Sequence, residues 1–184
     1  VSDNHEVVER VRRLRSLGLI TRRQADPARG ILSQFDVHEA GWRYHMSNLM
    51  AAIGIQQFRR REEFAAKRRE LARAYDRQLD DLSRVTSIPH NYEEVVPFMY
   101  AVRIHSGHDI PNIRARLHSS GIQTGAHYQP NHELALFSGR NQPPLPVATN
   151  LYPKLITLPL HPDLSFDDVE RICVRLTEAI HATT

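Results

Sequence analysis

The spacing of apolar residues changes at Pro89, and that change restricts the possible folds more than any other feature of the chain. Before it the period is helical. Val7, Val8, Val11, Leu14 and Leu17 recur at three- and four-residue steps, which predicts a helix over Ser2–Leu17 that Gly18 stops. From Ser47 to about Leu82, Leu49, Ile53, Phe64, Leu71, Tyr75 and Leu82 form an apolar stripe with charges opposite, predicting one or two long helices. Between these helical stretches, TRRQADPARGILSQFDVHEAGWRYH holds a Pro, two Gly and no sustained period. It reads as a long irregular connection, a kind of segment that is often functional.

After Pro89 the apolar runs become short and β-rich. FMYAVRI (Phe98–Ile104), IQTGAH (Ile122–His127) and LITLPL (Leu155–Leu160) are the strand candidates. Asp109 is placed to cap a helix with Pro111 in its first turn, running through Ile113 and Leu117 to Gly121. Ser165 opens a last helix whose Val169, Ile172, Cys173, Leu176 and Ile180 form one apolar stripe. The segment YQPNHELALFSGRNQPPLP is too polar and too broken by Pro for regular structure. Strands and helices at this density predict a small α/β layer domain. The expected organisation is an edge segment over 1–46, linking helices over 47–88 and the small domain over 89–184.

Composition narrows the function. Lys plus Arg number 24 against 21 for Asp plus Glu, a net charge of +3 and a sequence pI near 9.3. A basic pI suits a nucleic-acid binder only where the basic residues share a surface free of acids. Here they are interleaved, as in RRREEFAAKRRELARAYDR, where Glu63 and Lys67 stand at i,i+4 spacing, so no nucleic-acid partner is expected. A single Cys forms no internal disulfide and cannot build a Cys-based zinc site. No apolar run approaches membrane-spanning length, and VSDNHEVVERVRR lacks the apolar core of a signal peptide. The expectation is a soluble, cytoplasmic protein without a membrane partner.

Three groups of side chains are candidates for chemistry. His127, Tyr128 and His132 sit where a predicted strand runs into the Pro-broken loop, the position at which α/β proteins tend to build sites. They can donate to hydroxyl, carboxylate or phosphate groups, and His can move protons at neutral pH. They can equally serve as anchors of the loop. Arg43, Tyr44 and His45 precede the Ser47 cap of the long helix, where backbone donors favour an anion. The alternative is a turn whose Trp42 and Tyr44 cover the core. His105 and His108 form H-x-x-H around Gly107 without a third ligand nearby, which reads as a solvated turn rather than a metal site. Cys173, on the buried stripe, reads as core rather than nucleophile. The sequence has no phosphate-binding Gly-rich loop, no G-x-S-x-G and no HExxH.

Three longer elements carry a family resemblance. GWRYHMSNLMAAIGIQQFRRREEFAAKRRELARAYDRQL, GIQTGAHYQPNH and LPVATNLYPKLITLPLHPDLSFDDVERI occur in this order. Together they resemble the DegT/DnrJ/EryC1/StrS family of pyridoxal-phosphate-dependent sugar aminotransferases. GIQTGAHYQPNH is similar to that family's G-I-x-T-x-x-H-Y-x-P-x-H element, and the segment from Leu145 to Ile172 to its L-P-x-A…L-P-L-H-P-x-L element. The resemblance covers nearly the whole chain. It implies the C-terminal small domain of a type I, aspartate aminotransferase-like fold, with the trailing edge of the large domain over 1–46.

The resemblance also implies what the chain lacks. The family's cofactor lysine, the Asp on the pyridine nitrogen and the ring-stacking aromatic belong upstream of Val1. Only two lysines are present, Lys67 and Lys154, and neither is expected to replace the Schiff-base lysine. A chain starting at Val1 is therefore expected to be a truncated, cleaved or partial product, inactive alone. By resemblance, Arg43, Tyr44 and His45 reach across a homodimer to the partner's cofactor phosphate or sugar nucleotide, and His127, Tyr128 and His132 line the substrate pocket. Arg43 stands where the family usually has Asn, and His45 where it usually has Arg. Gln129 and Asn131 replace residues that are often Pro and apolar. The implied reaction moves an amino group from an amino acid, with glutamate the expected donor, to a keto-sugar nucleotide or keto-cyclitol. Other readings are a sugar dehydratase of the same family using the amine form of the cofactor, and a non-enzymatic dimerisation or binding domain.

Overall fold

The computed structural model describes residues 2–26, 30–105, 107–138 and 143–183, and for 21–26 and 30–34 the backbone alone. The chain divides into two compact units, Val1–Arg59 and Arg60–Thr184.

In the first unit, helix α1 (His5–Leu14) begins later than the apolar spacing predicts, because Asn4 accepts from the backbone N–H groups of Glu6 and Val7 and so sets the start. The chain leaves α1 through Gly18, at φ +76°. A Cβ there would overlap the Glu39 carbonyl, and one at Gly41 would overlap the backbone at Leu14 and Gly18. Two glycines thus permit residues 39–44 to lie directly against the end of α1. Three backbone hydrogen bonds seal this approach: Trp42 N–H to the Leu14 carbonyl (2.7 Å), Leu17 N–H to that of Trp42 (3.0 Å) and Tyr44 N–H to that of Arg15 (2.9 Å).

Part of the stretch between α1 and the long helices is regular, while 38–45 holds no helix or strand and 27–29 lie outside the described residues. Strands β1 (Leu19–Asp26) and β2 (Gly30–Val37) form an antiparallel hairpin in continuous register from Leu19–Val37 to Asp26–Gly30. The apolar alternation that would announce the pair is interrupted by polar residues on both strands, as in TRRQAD. Helix α2 (Asn48–Arg59) then buries none of its residues. Leu49 and Ile53, on the predicted apolar stripe, are exposed, Leu49 to 72%.

The second unit holds the core. Helix α3 (Arg61–Leu79) buries Leu71, Ala72, Ala74, Tyr75 and Leu79. Strands β3 (Val85–Ser87), β4 (Tyr100–Ile104) and β5 (Leu155–Leu158) form an antiparallel sheet in the order β3-β4-β5. Along β4, Tyr100, Val102 and Ile104 are buried while Ala101 and Arg103 are more accessible, so one face of the sheet meets the core. Helices α4 (Ile110–Ser119) and α6 (Phe166–His181) complete that core with Ile113, Leu117, Val169, Ile172, Cys173 and Leu176. Both begin at the expected caps: Asp109 accepts from Asn112 N–H, and Ser165 with Asp168 forms a reciprocal capping box. Tyr75 and Tyr100 stack at 4.6 Å between ring centres. Burial pushes the Tyr100 hydroxyl's pKa up, and the hydroxyl donates to Asp76 Oδ1 at 2.6 Å.

Three local expectations are corrected in this unit. IQTGAH is not a strand: it makes a single antiparallel bridge, Gly125 to Thr157, with hydrogen bonds of 3.0 and 2.8 Å. The chain turns away at His127, before a ladder can extend. The broken loop contains a 3-10 turn over Asn131–Glu133, and its last residue, Pro146, starts a short helix α5 (Pro146–Leu151) from the first-turn position where its missing N–H costs nothing. Strand β3 has no counterpart among the predicted strands, since only one of its three residues is apolar and buried.

Candidate functional site

His127 owes its position to a glycine and a buried hydroxyl. Gly125 pairs with Thr157 across the bridge, and two residues on, the His127 ring folds back over Gly125. A Cβ at Gly125 would overlap that ring. Thr157, buried in β5, holds His127 through a hydrogen bond between Oγ1 and Nδ1 at 3.0 Å. Tyr128 packs edge-on against His127, with 4.7 Å between ring centres, and is itself 65% exposed. A fixed imidazole beside an exposed phenol offers two donors for hydroxyl or charged groups.

His132 has a different anchor. Its Nε2 lies 3.0 Å from Thr149 Oγ1 on α5 and 3.8 Å from a Glu133 carboxylate oxygen. The hydroxyl of α5 and the acid beside it leave the other ring nitrogen, Nδ1, available. Thr157, Gly125 and Thr149 were not among the sequence candidates. The signal for the first was a hydroxyl inside the otherwise apolar run LITLPL, where a buried polar side chain requires a partner.

Arg43, Tyr44 and His45 belong to the first unit. Arg43 pairs by an isolated bridge with Ser16, and the Tyr44 ring stacks on Trp42 with 6.1 Å between centres. These rings do not cover a core: Trp42 is 54% and Tyr44 69% exposed, because the close approach to α1 is made by backbone and leaves the side chains outward. Arg43 and His45 are likewise exposed.

The remaining candidates are structural or displaced. Cys173 is buried, and burial pushes its thiol pKa up to about 12, leaving no thiolate for nucleophilic work. His105 and His108 are half-buried rather than solvated: His105 Nε2 meets Thr86 Oγ1 at 2.8 Å, and His108 Nδ1 is buried without a partner. Among the described residues, no three His, Cys, Asp or Glu side chains are grouped to hold a metal ion. None of the helices in the described residues is long and apolar enough to cross a membrane.

Lysine chemistry decides how a pyridoxal phosphate relates to this chain. A reactive lysine has its amine desolvated, placed beside another cation, or placed beside a base. Lys67 is half-buried, with Nζ 4.5 Å from the centre of the Phe166 ring, a cation–π contact. Glu63, expected to pair with Lys67, instead pairs with Arg60 at 2.9 Å. Lys154 shares a cleft with Arg103 and His105. The two lysines thus differ in setting, one against an aromatic ring and one in a cleft beside other basic groups.

A core of three helices against a three-stranded sheet, preceded in sequence by an antiparallel strand pair, is a fold shared with part of solved aminotransferases. The Helicobacter pylori aminotransferase PseC, involved in pseudoaminic acid biosynthesis, superposes with a TM-score of 0.84 at 23% identity over 99% of this chain and 48% of its own. The aminotransferase TlmJ from Streptoalloteichus hindustanus gives 0.77 at 29% identity, covering 98% and 46%. The sugar aminotransferase CalS13 from Micromonospora echinospora gives 0.77 at 24%, covering 95% and 45%. The chain thus spans about half the length of the solved structures it matches. The sequence pattern of the DegT/DnrJ/EryC1/StrS aminotransferase family matches residues 1–177, and the chain belongs to that family. Aminotransferases of this family depend on pyridoxal phosphate.

Proposed function

We propose that this chain is the C-terminal part of a pyridoxal-phosphate-dependent aminotransferase that moves an amino group from an amino acid, glutamate first, to a keto-sugar nucleotide or keto-cyclitol. The observation that carries this reading is the family match over residues 1–177 in a chain spanning about half of its structural relatives. Within it, Lys67 packs against the Phe166 ring, Lys154 lines an open cleft, and the attachment lysine is assigned to sequence preceding Val1. The cofactor supplies the electron sink for amino transfer, and the protein supplies binding, orientation and proton handling.

Within this reading His127, Tyr128 and His132 bind the sugar. Thr157 and Thr149 each occupy one ring nitrogen, so each imidazole keeps the other for a substrate hydroxyl or charged group. Arg43, Tyr44 and His45 contact the cofactor phosphate or the nucleotide across a dimer, their exposure leaving them free to reach another chain. The exposed Leu49, Met50 and Ile53 of α2 supply apolar surface for association with a second copy or with the preceding half. The cytoplasm is the compartment of this reading.

The test is an assay of the polypeptide that includes the residues preceding Val1, with glutamate and a keto-sugar nucleotide. Amino-sugar formation matched by 2-oxoglutarate is the expected result. Loss of water from the sugar without amine transfer would replace this reading with the dehydratase one, and no cofactor-dependent reaction with any sugar would leave a binding domain.

A further inference from the structure

Among the described residues, one cleft of the second unit is lined by basic groups alone, apart from one isoleucine. It lies at the end of the sheet where β4 leaves and β5 enters, holds about 300 Å³, and is lined by Arg103, Ile104, His105 and Lys154. That volume is at the lower end of the range for small-molecule pockets. The strand register explains the gathering. Arg103 stands directly opposite Leu155 on β5, so its side chain leaves the sheet next to the residue that follows Lys154. On its other side Arg103 faces Thr86, whose hydroxyl lies 2.8 Å from His105 Nε2 and fixes that ring. A further cation adjoins the same strand end: Arg114 on α4 donates from Nη2 to the Leu155 carbonyl at 2.6 Å, and its Nε is buried without a partner.

The charges in this cleft are not neutralised from within. Among the described residues neither Arg103 nor Lys154 forms an ion pair, whereas Arg10, Arg12, Arg60, Arg73, Arg171 and Arg175 each hold a carboxylate. A chain with nearly balanced charge can place an acid beside each base, and at those six arginines it does. Here like charges converge, a repulsion that a bound anion relieves.

We propose that the cleft of Arg103, His105 and Lys154 binds a phosphate-type oxyanion, either free phosphate or the phosphoryl group of a phosphorylated metabolite. The guanidinium of Arg103 offers a fork of N–H donors matched to two phosphate oxygens, and Lys154 adds a mobile point charge. His105, held at Nε2 by Thr86, presents its other ring nitrogen as the third donor. Two cations and an imidazole suit more than one negative charge, so pyrophosphate binds more tightly than phosphate. The proposal stands apart from the aminotransferase reading, because it concerns binding by these residues without any cofactor or reaction.

The test uses the 184-residue chain with inorganic phosphate, pyrophosphate and uridine diphosphate, each titrated at constant ionic strength and followed by amide chemical shifts. Saturable binding is expected, with shifts at Arg103–His105 and Lys154–Leu155. Arg103→Gln and Lys154→Gln should each weaken pyrophosphate about tenfold. Lys67→Gln, which removes a cation outside the cleft, should change nothing. Uridine diphosphate binding more tightly than pyrophosphate identifies a phosphorylated metabolite as the ligand, and equal affinity identifies the phosphate groups alone; both support the site. A melting curve checks that Arg103→Gln is folded, and Lys154→Gln, at a position outside the core, serves where it is not. Shifts that never saturate, that spread over the surface arginines, or that survive unchanged in folded Lys154→Gln would overturn the proposal.

Discussion

A histidine that is to meet a substrate must first be held still, and here the holding is done by residues of little chemical interest. Gly125 makes room for the His127 ring and Thr157 fixes its Nδ1. Gly125→Ala forces the ring away and strands the buried Thr157 hydroxyl, so it is expected to cost about 1–3 kcal/mol of stability, read from denaturant unfolding. His132→Ala is expected to lower kcat/KM of the longer enzyme by about 1–3 kcal/mol with a smaller effect on melting. Thr149→Val is its control: if it reproduces the melting change and His132→Ala leaves the kinetics normal, His132 only anchors α5. Cys173 was legible from helical spacing alone, since a residue on the stripe of Val169, Ile172 and Leu176 must face the core. With its pKa pushed up to about 12 by burial, it should react with a thiol reagent at pH 8 only after unfolding. The anchors of His127 and His132 were not legible, because they are joined across 30 and 17 residues by contacts that no local pattern records.

Elements with their own start signals were the readable ones. Helices α4 and α6 begin at Asp109 and Ser165 as expected, because a capping side chain acts within three residues of itself. The hairpin β1–β2 was missed since its strands are stabilised by pairing with each other, not by an apolar alternation visible in either. The same holds for the single Gly125–Thr157 bridge, where an apparent strand is one pair long. The capping box of α6 makes a pH-dependent prediction. Hydrogen bonds from Ser165 hold the Asp168 carboxyl below its ordinary value of 3.8. A depressed carboxyl adds stability that is fully present above 3.8 and is lost as the pH falls through its lower folded value. Asp168→Asn should therefore be less stable than the parent at neutral pH, with the gap closing in acid; a gap constant down to about pH 2 would exclude the cap as its source. Ser165→Ala should cost about 1 kcal/mol in the same measurement.

At the scale of the whole molecule, the distribution of burial separates the two units. The hydrophobic core among the described residues is drawn wholly from Leu71 onward, while α2 buries nothing and exposes Leu49, Met50 and Ile53. An apolar helix without a core of its own predicts association, and sedimentation at rising concentration should show it; a clean monomer that also ignores the preceding half would contradict it. Family membership was legible because the three long motifs are read as strings, whereas their roles depend on a cofactor-binding half that is proposed to precede Val1. That division of labour is the central claim, and locating the cofactor's lysine tests it most directly. The longer polypeptide, loaded with pyridoxal phosphate and reduced with borohydride, is digested and its labelled peptide sequenced. The account predicts one labelled lysine, preceding Val1, with Lys67 and Lys154 unmodified; stoichiometric label on either of those two would contradict it.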